Sequence, residues 1–299
     1  MDFEKEINYL AKQVEPSGLE ISEAARSVAV QALAEVDNRY GEKSAKTLEY
    51  HNAPHAIDVI RRGIRLSNVL MPYIPGHHRK SMFDLAAIGG AIHDFERGIG
   101  DGYNEKLSAE YGEQLIHSSG YSREINTKKF IRRLREGVHA TQVKREENGK
   151  IIQVNLRQGS HDPFKFILAS ADINGIAMEG PKRMVRDAVN LCYEMNDGKP
   201  TAEQLYEFIA FQPKFLKDRL HKEDQILPDI EYYFGDESKD VYAVLEKEFG
   251  GTIKFAYGKA LDLARLPIVR KTINEKLQKT SRIPGHKFVQ DTLADVINL

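Results

Sequence analysis

Residues Met82 to Ile92 (MFDLAAIGGAI) carry one charged side chain among eleven, and His93-Asp94 follows directly. A stretch without a polar face must be covered on every side, so it reads as a helix at the centre of the fold. It is also about half the length needed to span a bilayer, for which roughly 20 apolar residues are required. The chain running off its end sets an imidazole and a carboxylate down inside the core. Buried and unpaired, both groups are costly, and a bound cation would remove that cost.

The rest of the chain repeats the helical period. Ala24 to Val36, Ala56 to Val69, Lys106 to Ile116, Thr127 to Glu136, Phe164 to Met178, Pro181 to Met195, Ala202 to Leu220, Asp240 to Glu248 and Ile253 to Leu266 all place apolar residues three and four apart. Pro267 ends the last of these, and Pro284-Gly285 precedes a final helix from Phe288 to Leu299. One segment departs from the pattern. Residues Gln142 to Leu156 alternate on both sides of Asn148-Gly149, which is a hairpin signal. The expected fold is therefore all-α, a multi-helix bundle with one short β-hairpin near 142–156. We expect a single helical domain over 1–299, with a metal-binding core at about 48–178 and a C-terminal helical portion, about 222–299, of unassigned role.

Composition narrows the function. Forty-three Lys and Arg stand against 44 Asp and Glu, for a net charge of −1, which argues against a protein that coats nucleic acid. The single cysteine, Cys192, excludes an internal disulfide and any Cys-rich zinc motif. The start, MDFEKEINYL, lacks the apolar stretch of a secretory signal. A soluble, cytoplasmic protein without membrane association is expected, and oligomerisation is left open.

Three features could do chemistry. The first is Tyr50-His51-Asn52-Ala53-Pro54-His55, where Pro54 is tolerable only in a first turn, so a helix starts between the two histidines. The second is His93-Asp94. The third is Asp172, a lone carboxylate in the apolar run from Phe164 to Met178, which needs a partner. That partner is either a metal ion or a buried cation such as Arg97. Together His55, His93, Asp94 and Asp172 offer two imidazoles and two carboxylates, a mixed set that suits Mn²⁺, Fe²⁺, Mg²⁺ or Zn²⁺. Arg132, Arg133 and Arg135 read as a solvated helix face, and His77 and His78 as loop residues.

The pattern His…His-Asp…Asp on separate helices resembles the HD superfamily of metal-dependent phosphohydrolases. Tyr50-His51-Asn52 followed by His55 is similar to the motif of its cyclic nucleotide phosphodiesterase-like branch. The resemblance covers roughly Leu48 to Asp172. It implies an HD-domain bundle holding one or two divalent ions. His55, His93, Asp94 and Asp172 would bind the first metal, Asp94 would be the bridging ligand if there were two, and His51 would be the general acid. Gln212 and Phe215, in a Gln-x-x-Phe stretch, resemble the glutamine and phenylalanine that hold a purine in that branch. Asn52 and His139 are further candidates for substrate contact. Where those enzymes continue His-Asp-x-x-His-Pro-Gly, this chain reads His93-Asp94-Phe95-Glu96-Arg97-Gly98. The implied activity is hydrolysis of a phosphoester, foremost a phosphodiester in a nucleotide or cyclic nucleotide. The alternatives are a nucleotide monoester or triphosphate hydrolase, or a non-catalytic module that binds a nucleotide or a partner.

Overall fold

A computed structural model describes residues 1–14, 19–98, 102–119, 121, 127–145, 147, 151–174, 178–220, 226–249, 267–279 and 285–289. The described residues are all-α with one short hairpin. In chain order the helices are α1 (Phe3–Val14), α2 (Glu23–Tyr40), α3 (Ala53–Leu70), α4 (Gly76–Arg79), α5 (Met82–Ile92), α6 (Tyr103–Ser118), α7 (Thr127–Ala140), α8 (Pro163–Ala169), α9 (Pro181–Met195), α10 (Ala202–Leu220), α11 (Leu227–Phe234), α12 (238–249), α13 (Pro267–Lys279) and α14 (Gly285–Phe288). The proposed helix at Ile253 to Leu266 and all but the first two residues of that at Phe288 to Leu299 lie outside the described residues.

The helices form two compact units. The first comprises Met1–Thr47, His51–Ile173 and Leu227–Val244; the second comprises Leu48–Tyr50, Asn174–Ile226 and Leu245–Leu299.

In the first unit α5 is the central element, and all eleven of its residues are buried. It packs on α2 and α3 and also meets α6, α7 and α8. Its one charge is answered locally. Asp84 accepts hydrogen bonds from the Ser22 amide at 2.8 Å, the Ser22 hydroxyl at 3.0 Å and the Tyr121 hydroxyl at 2.7 Å. Ser22 in turn caps α2 by accepting from the Ala25 amide. A buried carboxylate with three donors is a tie between elements rather than a defect.

The α3–α5 contact is the one that positions the site. A Cβ on Gly90 would lie 2.9 Å from the Ile60 backbone nitrogen, so the two helices touch main chain to main chain there. Gly63 meets Ala86 across the same interface. Ile60 faces Gly90 and Gly63 faces Ala86, so the helices run antiparallel. The first turn of α3 therefore sits beside the end of α5.

The hairpin is present, with β1 (Val143–Arg145) antiparallel to β2 (Ile151–Gln153) and Lys144 opposite Ile152. The Asn148-Gly149 turn lies outside the described residues. Three local expectations need correction. Arg133 is not on a solvated face: it is buried, forms a two-pronged pair with Asp162 and donates to the Ser81 hydroxyl at 2.5 Å. His77 and His78 lie in the short helix α4 rather than a loop. The helix expected from Phe164 to Met178 is regular only to Ala169, then widens into a π-turn at Ser170–Asn174. Widening frees main-chain carbonyls, and side chains from elsewhere take them up. The Gln153 amide donates to the Ala169 carbonyl at 2.9 Å, and Arg62 donates to that of Ala171 at 3.5 Å.

In the second unit, α9 packs against α10 and α14, and α10 against α13. The Tyr206 hydroxyl donates to the Arg270 carbonyl at 2.8 Å, and the Tyr50 amide donates to Glu194 at 2.9 Å.

Candidate metal centre

Three elements of the first unit meet at one point. Asn52 caps α3, its side chain accepting from the His55 amide at 3.2 Å, and Pro54 fills an early position where its missing N–H costs nothing. His55 is thus held in the first turn. His93 is the residue at which α5 ends, and Asp94 follows in the turn. Asp172 comes from the π-turn.

His55, His93, Asp94 and Asp172 each bring one ligand atom into a group in which all lie within 4.8 Å of one another. The His55 and His93 Nε2 atoms are 3.3 Å apart. Asp94 Oδ2 is 2.9 Å from His93 Nε2 and 3.4 Å from His55 Nε2. Asp172 Oδ1 is 3.4 Å from His55 Nε2 and 3.6 Å from His93 Nε2. Ligands about 2.1 Å from a shared ion stand about 3.0 Å apart on an octahedron and about 3.4 Å apart on a tetrahedron. The observed spacings fall close to that range.

Hydrogen bonding makes the case for a cation sharper. His93 Nδ1 faces the Gly90 carbonyl at 2.9 Å. A carbonyl only accepts, so Nδ1 carries the proton, and a neutral His93 ring turns a bare Nε2 lone pair on Asp94 Oδ2. That oxygen is buried and lacks a hydrogen-bond partner. Ring nitrogens of two imidazoles and oxygens of two carboxylates converge, an arrangement that a proton or a metal ion stabilises. With no ion bound, the proton goes to the imidazoles. Burial disfavours the His93 imidazolium, but the Asp94 and Asp172 carboxylates outweigh it and push the ring up to about 10. His55 moves upward in the same way: burial opposes its charge, and hydrogen bonds to Asp172 and Asp94 prevail. Burial likewise opposes the charge on both carboxylates. Arg97, His93 and His51 hold Asp94 well below the usual carboxylate range, and hydrogen bonds from His55 and His93 do the same for Asp172. The residues present could hold a metal ion.

The group is asymmetric in exposure. The imidazole side chains are 4% and 0% exposed, the carboxylates 15% and 17%. The histidines form a closed floor and the carboxylates a partly open rim.

Asp172 pairs with the histidines, and Arg97 pairs instead with Asp94, at 3.1 Å from its Oδ1. Arg97 also donates to His51 Nε2. The His51 and His55 rings stand edge to face with centroids 5.7 Å apart. His51 therefore lies beside the group, joined to it through Arg97.

His139 is on α7 with its Nε2 buried and without a hydrogen-bond partner. Burial and then Arg135 lower its pKa, and its other charged neighbours include Glu110, Glu136 and Lys106. Gln212 and Phe215 belong to α10 of the second unit, where Gln212 is buried and Phe215 stacks on Phe211 at 5.8 Å. One residue beside the group carries no periodic signal. Glu105, in the first turn of α6, has a buried Oε2 without a hydrogen-bond partner. Its pKa is raised by burial and then by the charges of Asp94 and Asp172, which places it in their field. A carboxylate in a first turn also complements the helix dipole.

No protein-family model, curated protein or solved structure matches the chain. No described helix is long and apolar enough to cross a membrane.

Proposed function

We propose that the protein is a metal-dependent phosphohydrolase of the HD type, acting on a phosphodiester in a nucleotide or cyclic nucleotide. The observation that carries this reading is the convergence of His55, His93, Asp94 and Asp172 with their lone pairs on one point and their carboxylates on an open rim. The sequence resemblance over Leu48 to Asp172 supports the superfamily and the substrate class. A divalent ion held there supplies Lewis acidity, polarising a phosphoryl oxygen and acidifying water.

The chain's own residues supply the rest. Asp94 and Asp172 orient and charge-balance the site, while the buried imidazoles fix its position. Arg97 is a permanent cation, 24% exposed, and is placed to attract and align an anionic phosphate at the rim. His51 is the proton donor to the departing oxygen: its Nε2 first gives up the Arg97 N–H and takes a proton from solvent.

The test compares an aryl phosphodiester with the matching monoester, using protein stripped of metal and reloaded with Mn²⁺, Mg²⁺, Fe²⁺ or Zn²⁺. Diester cleavage that needs metal and vanishes in Asp94→Ala supports the proposal. Monoester cleavage alone moves the activity to a nucleotidase. A second reading, a module that binds a nucleotide without turnover, rests on the Arg97 contact that engages His51 Nε2. Metal and nucleotide binding with no cleavage under any ion would favour it.

A further inference from the structure

The two oxygens of Asp94 have different company. Oδ2 faces the imidazoles of His55 and His93, at 3.4 and 2.9 Å. Oδ1 faces the Arg97 guanidinium at 3.1 Å. An aspartate that bridges two metal ions gives one oxygen to each, with the ions about 3.5–4 Å apart. Here the side on which a second ion would bind holds a guanidinium, which stays charged at all ordinary pH. The same guanidinium donates to His51 Nε2 in this state.

Charge leads to the same result. Asp94 and Asp172 carry two negative charges. One divalent ion with Arg97 leaves a single positive charge, suited to an anionic ester. A second divalent ion would stand against Arg97 within a few ångströms, and like charges so close repel strongly away from bulk water.

From this geometry we infer that Arg97 takes the place of a second metal ion, so the centre holds one divalent ion per chain, bound through Asp94 Oδ2 but not Oδ1. The inference rests on the metal reading of the four-residue group and adds the number of ions to it. Arg97 acts as a positioning residue: it occupies Asp94 Oδ1 and supplies the second positive charge.

The test counts ions and asks whether they sense each other. Metal-stripped full-length protein is titrated with Mn²⁺ by calorimetry, and the loaded protein is examined by electron paramagnetic resonance. The expected result is one Mn²⁺ per chain with the spectrum of an isolated ion, for the wild type and for Arg97→Lys. In Arg97→Gln, Oδ1 is released, a second Mn²⁺ binds, and exchange coupling broadens the spectrum. Two coupled ions in the wild type would overturn the inference and leave the metal reading intact. A single ion in folded Arg97→Gln would also overturn it, with circular dichroism as the check on folding. No Mn²⁺ bound by the wild type would overturn the metal reading itself. The wild-type count stands whether or not either variant folds.

Discussion

Gly90→Ala is the perturbation that couples the packing of α5 to the chemistry at its end. The added Cβ would lie 2.7 Å from Ile60 Cγ1, 2.9 Å from the Ile60 nitrogen and 3.0 Å from its Cα. A side-chain atom can rotate away, but main chain cannot. Taking the Ile60 nitrogen from 2.9 Å to the 3.4 Å at which ordinary contact begins moves α3 by about 0.5 Å relative to α5. Overpacking of this kind costs about 1–3 kcal/mol, and the better helix propensity of alanine returns up to about 1. A net loss of about 1–2 kcal/mol should lower the melting temperature by roughly 2–8 °C, at about 2–4 °C per kcal/mol for a large domain. The same shift acts on the His55 to His93 spacing of 3.3 Å, because the two ligands come from these two helices. A displacement of about 0.5 Å is the tolerance of a preorganised site, so Mn²⁺ affinity should fall at least about tenfold. Gly63→Ala is the control: its Cβ would sit 3.4 Å from that of Ala86 and 3.9 Å from that of Ala171, so it should melt at or above the wild type and bind Mn²⁺ as well. Thermal melts and Mn²⁺ titration of both variants decide the matter. If Gly90→Ala matched Gly63→Ala in both, close approach of α3 and α5 would not be what holds the ligands together.

Other expectations follow from the same geometry. The metal-free His93 ring is pushed up to about 10, so an ion must displace its proton; affinity for Mn²⁺ should rise with pH through the neutral range, and calorimetry in buffers of different ionisation enthalpy should show proton release. A pH-independent affinity would contradict this. The same raised pKa sets the sign for stability without metal: the contribution of His93 is full below about 6.5 and is lost as pH rises towards 10, so the melting temperature of the metal-free protein should fall across that window. Asp84→Ala leaves the Ser22 and Tyr121 donors without their acceptor and should cost about 3 kcal/mol in denaturant unfolding; a loss under 1 kcal/mol would mean that this tie is replaceable. Arg133→Ala takes the guanidinium from buried Asp162, which keeps its bond from the Phe164 amide, and should cost about 3 kcal/mol, while Mn²⁺ affinity in the folded fraction stays within about twofold of wild type.

Much of the helical frame was legible because burial leaves a period. α5 shows no polar face and is buried throughout, and α9 and α10 begin and end where their apolar spacing does. α1 was readable but unread: Ile7, Leu10, Ala11 and Val14 are spaced for one face, and all four are buried. The four residues that could hold a metal ion stood out for the opposite reason, as polar groups in apolar company. Arg133 defeated the same logic. On α7 it sits among exposed basic residues, and only Asp162, from a distant part of the chain, shows that it is inside. The π-turn at Ser170–Asn174 was invisible because its freed carbonyls are taken by Gln153 and Arg62, whose approach no local spacing records.

By itself the sequence determined which apolar stretches had to be buried and that the imidazoles and carboxylates within them needed a partner. Helical period follows from the 3.6-residue turn, and the cost of a buried carboxylate or imidazole follows from its chemistry, and both are properties of short stretches of chain. Only the tertiary structure decided which partner each group met. Asp172 faces the two imidazoles, Arg97 takes Asp94 Oδ1 and His51, and Glu105 enters the field of both aspartates. These pairings span up to 117 residues of chain, from His55 to Asp172. They are set by where helices cross, and a crossing such as Ile60 on Gly90 depends on the shapes of two surfaces at once.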